Sequence, residues 1–207
     1  MQYYMFNKPR GCVTARSDGL YKTVMDYFPE ELRCALHPVG RLDLDTEGLL
    51  LITDDGMFDH RLMEPEFHIE KTYFFYAFGR LDETAVKAFQ QGIIIQKNGR
   101  PTRPAKLDIL NYTIVADIVQ YLPEEKREGY MKNPKGEVTA AKLTITEGRN
   151  HQVKLMVKSA GCTVAYLKRI SVGGVVLDKA LAPGEYRPLT DDELKILTNR
   201  TNSFIPK

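Results

Sequence analysis

The residues best suited to chemistry lie together in Gly40-Arg41-Leu42-Asp43-Leu44-Asp45-Thr46-Glu47-Gly48. Three carboxylates and a guanidinium sit between two glycines, directly ahead of the apolar run Leu49–Ile52. Loops held by a rigid strand often carry catalytic groups, and an aspartate placed there can act as nucleophile or base. The same residues also read as a polar turn with capping Asp and Thr side chains. A calcium loop is a third reading, because Asp43, Asp45, Glu47, Gly48 and Asp54 follow part of the EF-hand spacing. Against it, Asp54 is too short for the bidentate reach of the last ligand, and the flanks read as strands rather than helices. A glycosidase pair of Asp43 and Asp45 fares no better: alternate residues on an extended loop point apart, and the chain has no tryptophan for a sugar cleft.

Three further segments hold candidate groups. Glu147-Gly148-Arg149-Asn150-His151-Gln152-Val153-Lys154 presents several donors where a glycine turn leads into a helix, a pattern suited to phosphate and sugar contacts. Glu70-Lys71-Thr72-Tyr73 places a tyrosine on a strand, ordinarily a packing position. Asn7-Lys8-Pro9-Arg10-Gly11 is a rigid basic turn able to touch a phosphate or simply to face solvent.

Many strands with short helices between them must position these segments. Alternation predicts strands over Tyr3–Asn7, Leu49–Thr53, Lys71–Phe78, Lys106–Leu110, Thr113–Tyr121, Val138–Glu147 and Val164–Ser171, with shorter ones at Gly92–Ile95 and Val175–Leu177. Helices are expected over Thr23–Phe28, Phe58–Met63, from the Asp82 cap through Gln91, over His151–Ala160, and after Thr190. His37–Gly40 reads as a turn, Asp54-Asp55-Gly56 as a hairpin turn, and Pro123–Gly136 as a flexible loop. This mixture predicts an α+β fold with a largely antiparallel sheet.

Charge adds one clue. From Met131 to Lys207 there are 13 Lys/Arg against 7 Asp/Glu, whereas Met1–Tyr130 holds 16 against 20. The basic surplus towards the C-terminus is where a polyanion would dock. Three scattered cysteines and four histidines show no metal-ligand spacing, so no metal is expected. No apolar run approaches a membrane span and no signal-peptide pattern opens the chain, so a cytoplasmic protein is expected, with no membrane partner.

Taken in order, Lys8-Pro9, GRLDLDTEGLLLITDDG, HIEKTY, TRPAKL, EGRNHQVK and LAPGEYRPLT resemble the RsuA/RluB/RluE-like pseudouridine synthase family, from Tyr4 to about Leu197. The resemblance implies one catalytic domain over 1–207, with two lobes around a central RNA-binding cleft and a mixed, mainly antiparallel sheet flanked by helices. It implies isomerisation of a uridine in ribosomal RNA, of the small subunit or alternatively the large, within an assembling subunit. The protein would then act as a monomer without a cofactor. A non-catalytic RNA-binding assembly factor is the rival class. The resemblance places the catalytic aspartate at Asp43, its tyrosine at Tyr73 and its basic partner at Lys154. Lys8, Arg10, Arg41, Arg149, His151 and Gln152 become the expected RNA-binding set. The small N-terminal S4 domain of many relatives is expected to be missing, because the first motif already lies at the first strand.

Overall fold

Continuous apolar runs buried on both faces give strands such as Glu47–Thr53, strict alternation gives Lys71–Phe78, and apolar positions at helical spacing give the longer helices. The computed structural model describes residues 1–96 and 99–202. Its strands are β1 (Tyr3–Lys8), β2 (His37–Val39), β3 (Glu47–Thr53), β4 (Lys71–Phe78), β5 (Lys106–Ile114), β6 (Glu137–Ile145), β7 (Thr163–Val172), β8 (Val175–Val176) and β9 (Tyr186–Pro188). Its helices are α1 (Glu30–Arg33), α2 (Gly56–Met63), α3 (Glu83–Gln91), α4 (Glu124–Tyr130), α5 (Gln152–Ser159) and α6 (Asp191–Asn202), with 3-10 turns at Val24–Tyr27, Pro65–Phe67 and Val115–Tyr121. The fold is α+β with mixed, mainly antiparallel strand pairing, as the sequence implies.

The chain forms two compact units: Met1–Lys71 with the chain from Lys168 onward, and Thr72–Leu167. In the first, β1 lies antiparallel between β3 and β9, in the registers Lys8↔Gly48 and Met5↔Arg187. The end of β7 joins β3 in parallel through Gly48↔Arg169. Met5, Leu49, Leu51, Phe58, Leu62, Val172 and Leu197 fill the core beneath. In the second unit, β5 and β6 pair antiparallel with an irregularity between Ile109 and Asn111. On β4 every second side chain is buried, from Lys71 and Tyr73 to Ala77. Asp82 caps α3 by accepting from the amides of Thr84 and Ala85, which lets Ala85 and Phe89 bury their face.

Five local expectations are corrected. His37–Val39 is not a turn but a strand, pairing Pro38 with Ile52. Asp54-Asp55-Gly56 is not a hairpin: Asp55 accepts from Met57 and Phe58 amides and starts α2. Gly92–Ile95 forms no ladder, being held to Thr102 instead, whose amide donates to the Ile93 carbonyl at 2.8 Å. Thr113–Tyr121 leaves the strand after Ile114 and coils, which buries Val115, Ile118 and Leu122. Pro123–Gly136 is not a bare loop, since it contains α4 and ends with Tyr130 packed on Phe78, ring centroids 4.8 Å apart.

Candidate active site

In the first unit the structure brings Lys8, Arg10, Arg41 and Asp43 to one loop, Gly40–Thr46, which joins β2 to β3. Two glycines bracket it in left-handed backbone, Gly40 at φ +68° and Gly48 at φ +103°. At Gly48 a Cβ would lie 2.2 Å from the Arg169 carbonyl oxygen, so only glycine allows β3 and β7 to meet there. Between the glycines the main chain is anchored repeatedly. The Thr14 hydroxyl accepts from the Leu42 amide at 3.1 Å and donates to the Leu42 carbonyl at 2.8 Å. The Gly11 amide donates to the Leu44 carbonyl at 2.8 Å, and the Thr46 amide closes a turn onto the Asp43 carbonyl. Leu42 is buried, which leaves the half-buried Asp43 beside it in a fixed position.

Lys8 is where the sequence reading goes astray. Its side chain is fully buried, and its ammonium donates to the carbonyls of Pro9, Asp43 and Thr46. Burial pushes its pKa down, partly offset by nearby Cys12, Asp45, Glu47 and Asp43. It therefore builds the Asp43 loop from beneath and presents no charge to RNA. Arg10 lies half-buried, its Nε 3.8 Å from Glu47. Arg41, in contrast, is exposed and makes no hydrogen bond or ion pair with any described residue.

Asp59 on α2 supports the loop from the other side. Burial raises the pKa of its carboxyl, opposed by the His37 ring 3.7 Å away and by the Gly40 amide. No pattern in the sequence singles Asp59 out, because it looks like any polar position on a short helix.

The second unit carries Tyr73, Arg149, His151, Gln152 and Lys154. Tyr73 is 8% exposed on β4, and its hydroxyl makes no hydrogen bond to any described residue. Arg149 is not directed at a ligand: its guanidinium bonds Glu147 at 3.1 Å and the carbonyls of Arg100 and Pro101, both at 2.6 Å. Gln152 is buried, accepting from the Arg149 amide at 2.9 Å and donating to Glu147 at 2.8 Å. These two residues build the turn into α5. The turn displays His151, exposed and in left-handed backbone at φ 53°, and Lys154 in the first turn of the helix. The first turn holds no acidic residue, and the positive end of a helix dipole disfavours a cation there. Lys154 thus stands where an anion is wanted.

Among the described residues no cluster of His, Cys, Asp or Glu is spaced to hold a metal ion, and no helix is long and apolar enough to cross a membrane. The three cysteines are free thiols, Cys12 and Cys162 buried and Cys34 exposed.

The chain is similar to known proteins over most of its length. Residues 2–159 match the family model described as RNA pseudouridylate synthase. The chain is 42% identical over 196 residues to the ribosomal small subunit pseudouridine synthase A of Haemophilus influenzae, covering 95% of this chain and 73% of that protein. It is 43% identical to the uncharacterized RNA pseudouridine synthase YtzG of Bacillus subtilis, over 94% of this chain and 72% of that one. A crystal structure of a pseudouridylate synthase superposes with a TM-score of 0.78 at 41% identity, covering 95% of this chain and 73% of the other. Human RNA pseudouridylate synthase domain containing 1 shares the fold, with a TM-score of 0.57 at 15% identity over 95% and 91% of the two chains. With GRLD on an anchored loop, KTY on its strand and GRNHQVK at the start of a helix, the chain belongs to the RNA pseudouridylate synthase family.

Proposed function

We propose that this protein converts a uridine of small-subunit ribosomal RNA to pseudouridine, with Asp43 as the essential carboxylate. One observation carries the reading: a half-buried aspartate on a loop whose main chain is fixed by Lys8, Gly11 and Thr14. Such rigidity costs stability to build and is repaid where a reacting group must not move. The relatives' names supply the ribosomal target.

Pseudouridylation detaches uracil from its ribose, turns the base and rejoins it through carbon. Atoms and electrons balance within one nucleotide, so the chemistry is complete without redox or group-carrying cofactors. Asp43 acts on the ribose as nucleophile or base. Tyr73 offers a ring to stack on uracil and a hydroxyl for proton transfer. Lys154 supplies positive charge to the RNA, and the exposed Arg41 and His151 hold the strand. The uridine must be extruded from any helix, at a cost of about a few kcal/mol, so an open RNA is the better substrate. The protein acts as a monomer in the cytoplasm, on ribosomal RNA that is still being assembled.

Pseudouridine mapping in ribosomal RNA from a strain lacking this protein tests the reading. One small-subunit pseudouridine is expected to disappear, to return with the wild-type protein and not with Asp43→Asn, whose thermal unfolding and RNA affinity match wild type. Restoration by Asp43→Asn overturns the catalytic role and favours a non-catalytic assembly factor. A site lost from the large subunit instead corrects the target and keeps the reaction.

A further inference from the structure

A groove of about 660 Å³ opens in the first unit beside the Asp43 loop. Its lining includes Arg16, Pro38 and Gly40, with His60 and Met63 of α2. Gly40 and Arg41 are at once groove lining and the entry to Asp43, so whatever sits in the groove lies against the reacting loop.

Its chemistry is that of a nucleotide site. Pro38 and the exposed Met63 give flat, polarisable surface for a ring. The lining also holds two carboxylates: Asp59, whose buried Oδ1 has no hydrogen-bond partner among the described residues, and Glu64, each facing a histidine, His37 at 3.7 Å and His60 at 3.5 Å. Its two arginines have few partners of their own. Arg16 gives a single contact to the Cys34 carbonyl, and Arg41 none to any described residue. Two guanidiniums beside Pro38 and Met63 suit a ligand with one ring and one or two phosphates.

We propose that this groove seats an unpaired nucleotide next in sequence to the target uridine, its base against Met63 and Pro38 and its phosphate at Arg16 and Arg41. The groove then reads the neighbour of the target and contributes to the choice of uridine. This inference rests on the pseudouridine reading above and deepens it.

The test uses the full chain and short RNA strands with one uridine, either intact or made abasic at the 5′ or the 3′ neighbour. Binding is measured with the Asp43→Asn protein, which holds RNA without turnover, and pseudouridine formation with otherwise wild-type protein. Removing one neighbouring base is expected to weaken binding about tenfold, the scale of one stacked base. Met63→Ala weakens binding of the intact strand by a similar factor and adds little on the abasic strand, whereas Arg16→Ala, at the phosphate, weakens both strands alike. Variants that bind every strand as wild type does, or a Met63→Ala protein that loses equally on intact and abasic strands, overturn the proposal. Absence of pseudouridine from all strands with wild-type protein counts against the catalytic reading alone, because the binding arm still reports on the groove.

Discussion

The Lys8 ammonium donates to the main-chain carbonyl of Asp43 at 3.1 Å and to that of Thr46 at 2.9 Å, from a position with no exposure to solvent. A buried charge is expensive unless its donors are filled, and here three carbonyls fill them. Lys8→Met leaves those carbonyls without their donor. It is expected to cost about 2 kcal/mol of stability and to lower kcat by tenfold or more as the loop loosens. The salt dependence of RNA binding separates this from a phosphate contact. A lysine on phosphate would reduce the salt slope by about one when removed, whereas Lys8→Met is expected to leave the slope unchanged.

Gln152 does for the second unit what Lys8 does for the first. Its amide spans the Arg149 amide and Glu147, whose carboxylate also accepts from the Arg103 amide at 3.0 Å. Gln152→Leu keeps the volume and removes both bonds. Thermal unfolding should show a loss of about 1–3 kcal/mol, with an unaltered salt slope for RNA binding. His151→Ala, at the exposed neighbour, should give the opposite pattern: little change in stability and a weaker complex. Equal effects of the two variants on binding would remove the distinction between builder and displayed residue.

Lys71 makes a pH-dependent claim. It is 7% exposed, its ammonium donates to the Ile69 carbonyl, and burial together with the Arg169 charge pushes its pKa down to about 8. The unfolded chain holds this proton up to about pH 10.4. Between about pH 8 and that value the unfolded state binds more protons, so stability attributable to Lys71 rises with pH. Below pH 8 the folded state carries the full penalty of the buried charge. Lys71→Met is therefore expected to be more stable than wild type at pH 7, by about 1–3 kcal/mol, with the advantage shrinking above pH 8. Melting curves across pH 6.5–10 check it. A constant difference across that range would place the effect in packing rather than in charge.

How far the sequence reveals this molecule depends on whether a residue's task shows in its pattern. Strand β4 is read to the residue because Tyr73, Phe75 and Ala77 alternate with more exposed neighbours, and α3 because Asp82 and Phe89 mark its cap and face. The run Val115–Tyr121 looks like a strand by composition, yet Val115, Ile118 and Leu122 recur at helical spacing, a signal outweighed by their β-branched neighbours. Pro38 reads as a breaker, although a proline fits a strand that pairs on one side only. The candidate site is legible in its motifs and misleading in its details. Lys8, Arg149 and Gln152 are polar and lie in functional segments, so they read as ligand contacts. Polarity alone cannot show that their hydrogen bonds are consumed by carbonyls and a carboxylate of the same chain. Asp59 is missed for the converse reason: its role comes from the three-dimensional position of Gly40 and His37, not from any local spacing.

Gly48 offers the most decisive mutation of the framework. Its φ of +103° is outside the range comfortable for L side chains, and a Cβ would meet the Arg169 carbonyl oxygen at 2.2 Å and amide at 2.9 Å. Both neighbouring groups are backbone, so no rotamer change relieves the clash. Moving them apart breaks the parallel pairing of β3 with β7 and threatens the Arg169 Nε bond to the Leu49 carbonyl, 2.7 Å long. Gly48→Ala is expected to cost at least about 3 kcal/mol and to displace Asp43, which leads into the same strand. Gly56→Ala is the matched control, since it begins α2 with nothing within 4 Å of a Cβ. Alanine's helix propensity should leave that variant neutral or stabilised by up to about 1 kcal/mol. If Gly48→Ala unfolds at the same temperature as Gly56→Ala and keeps wild-type activity, the close approach at Gly48 does not hold the loop, and the anchoring of Asp43 must rest on Lys8, Gly11 and Thr14.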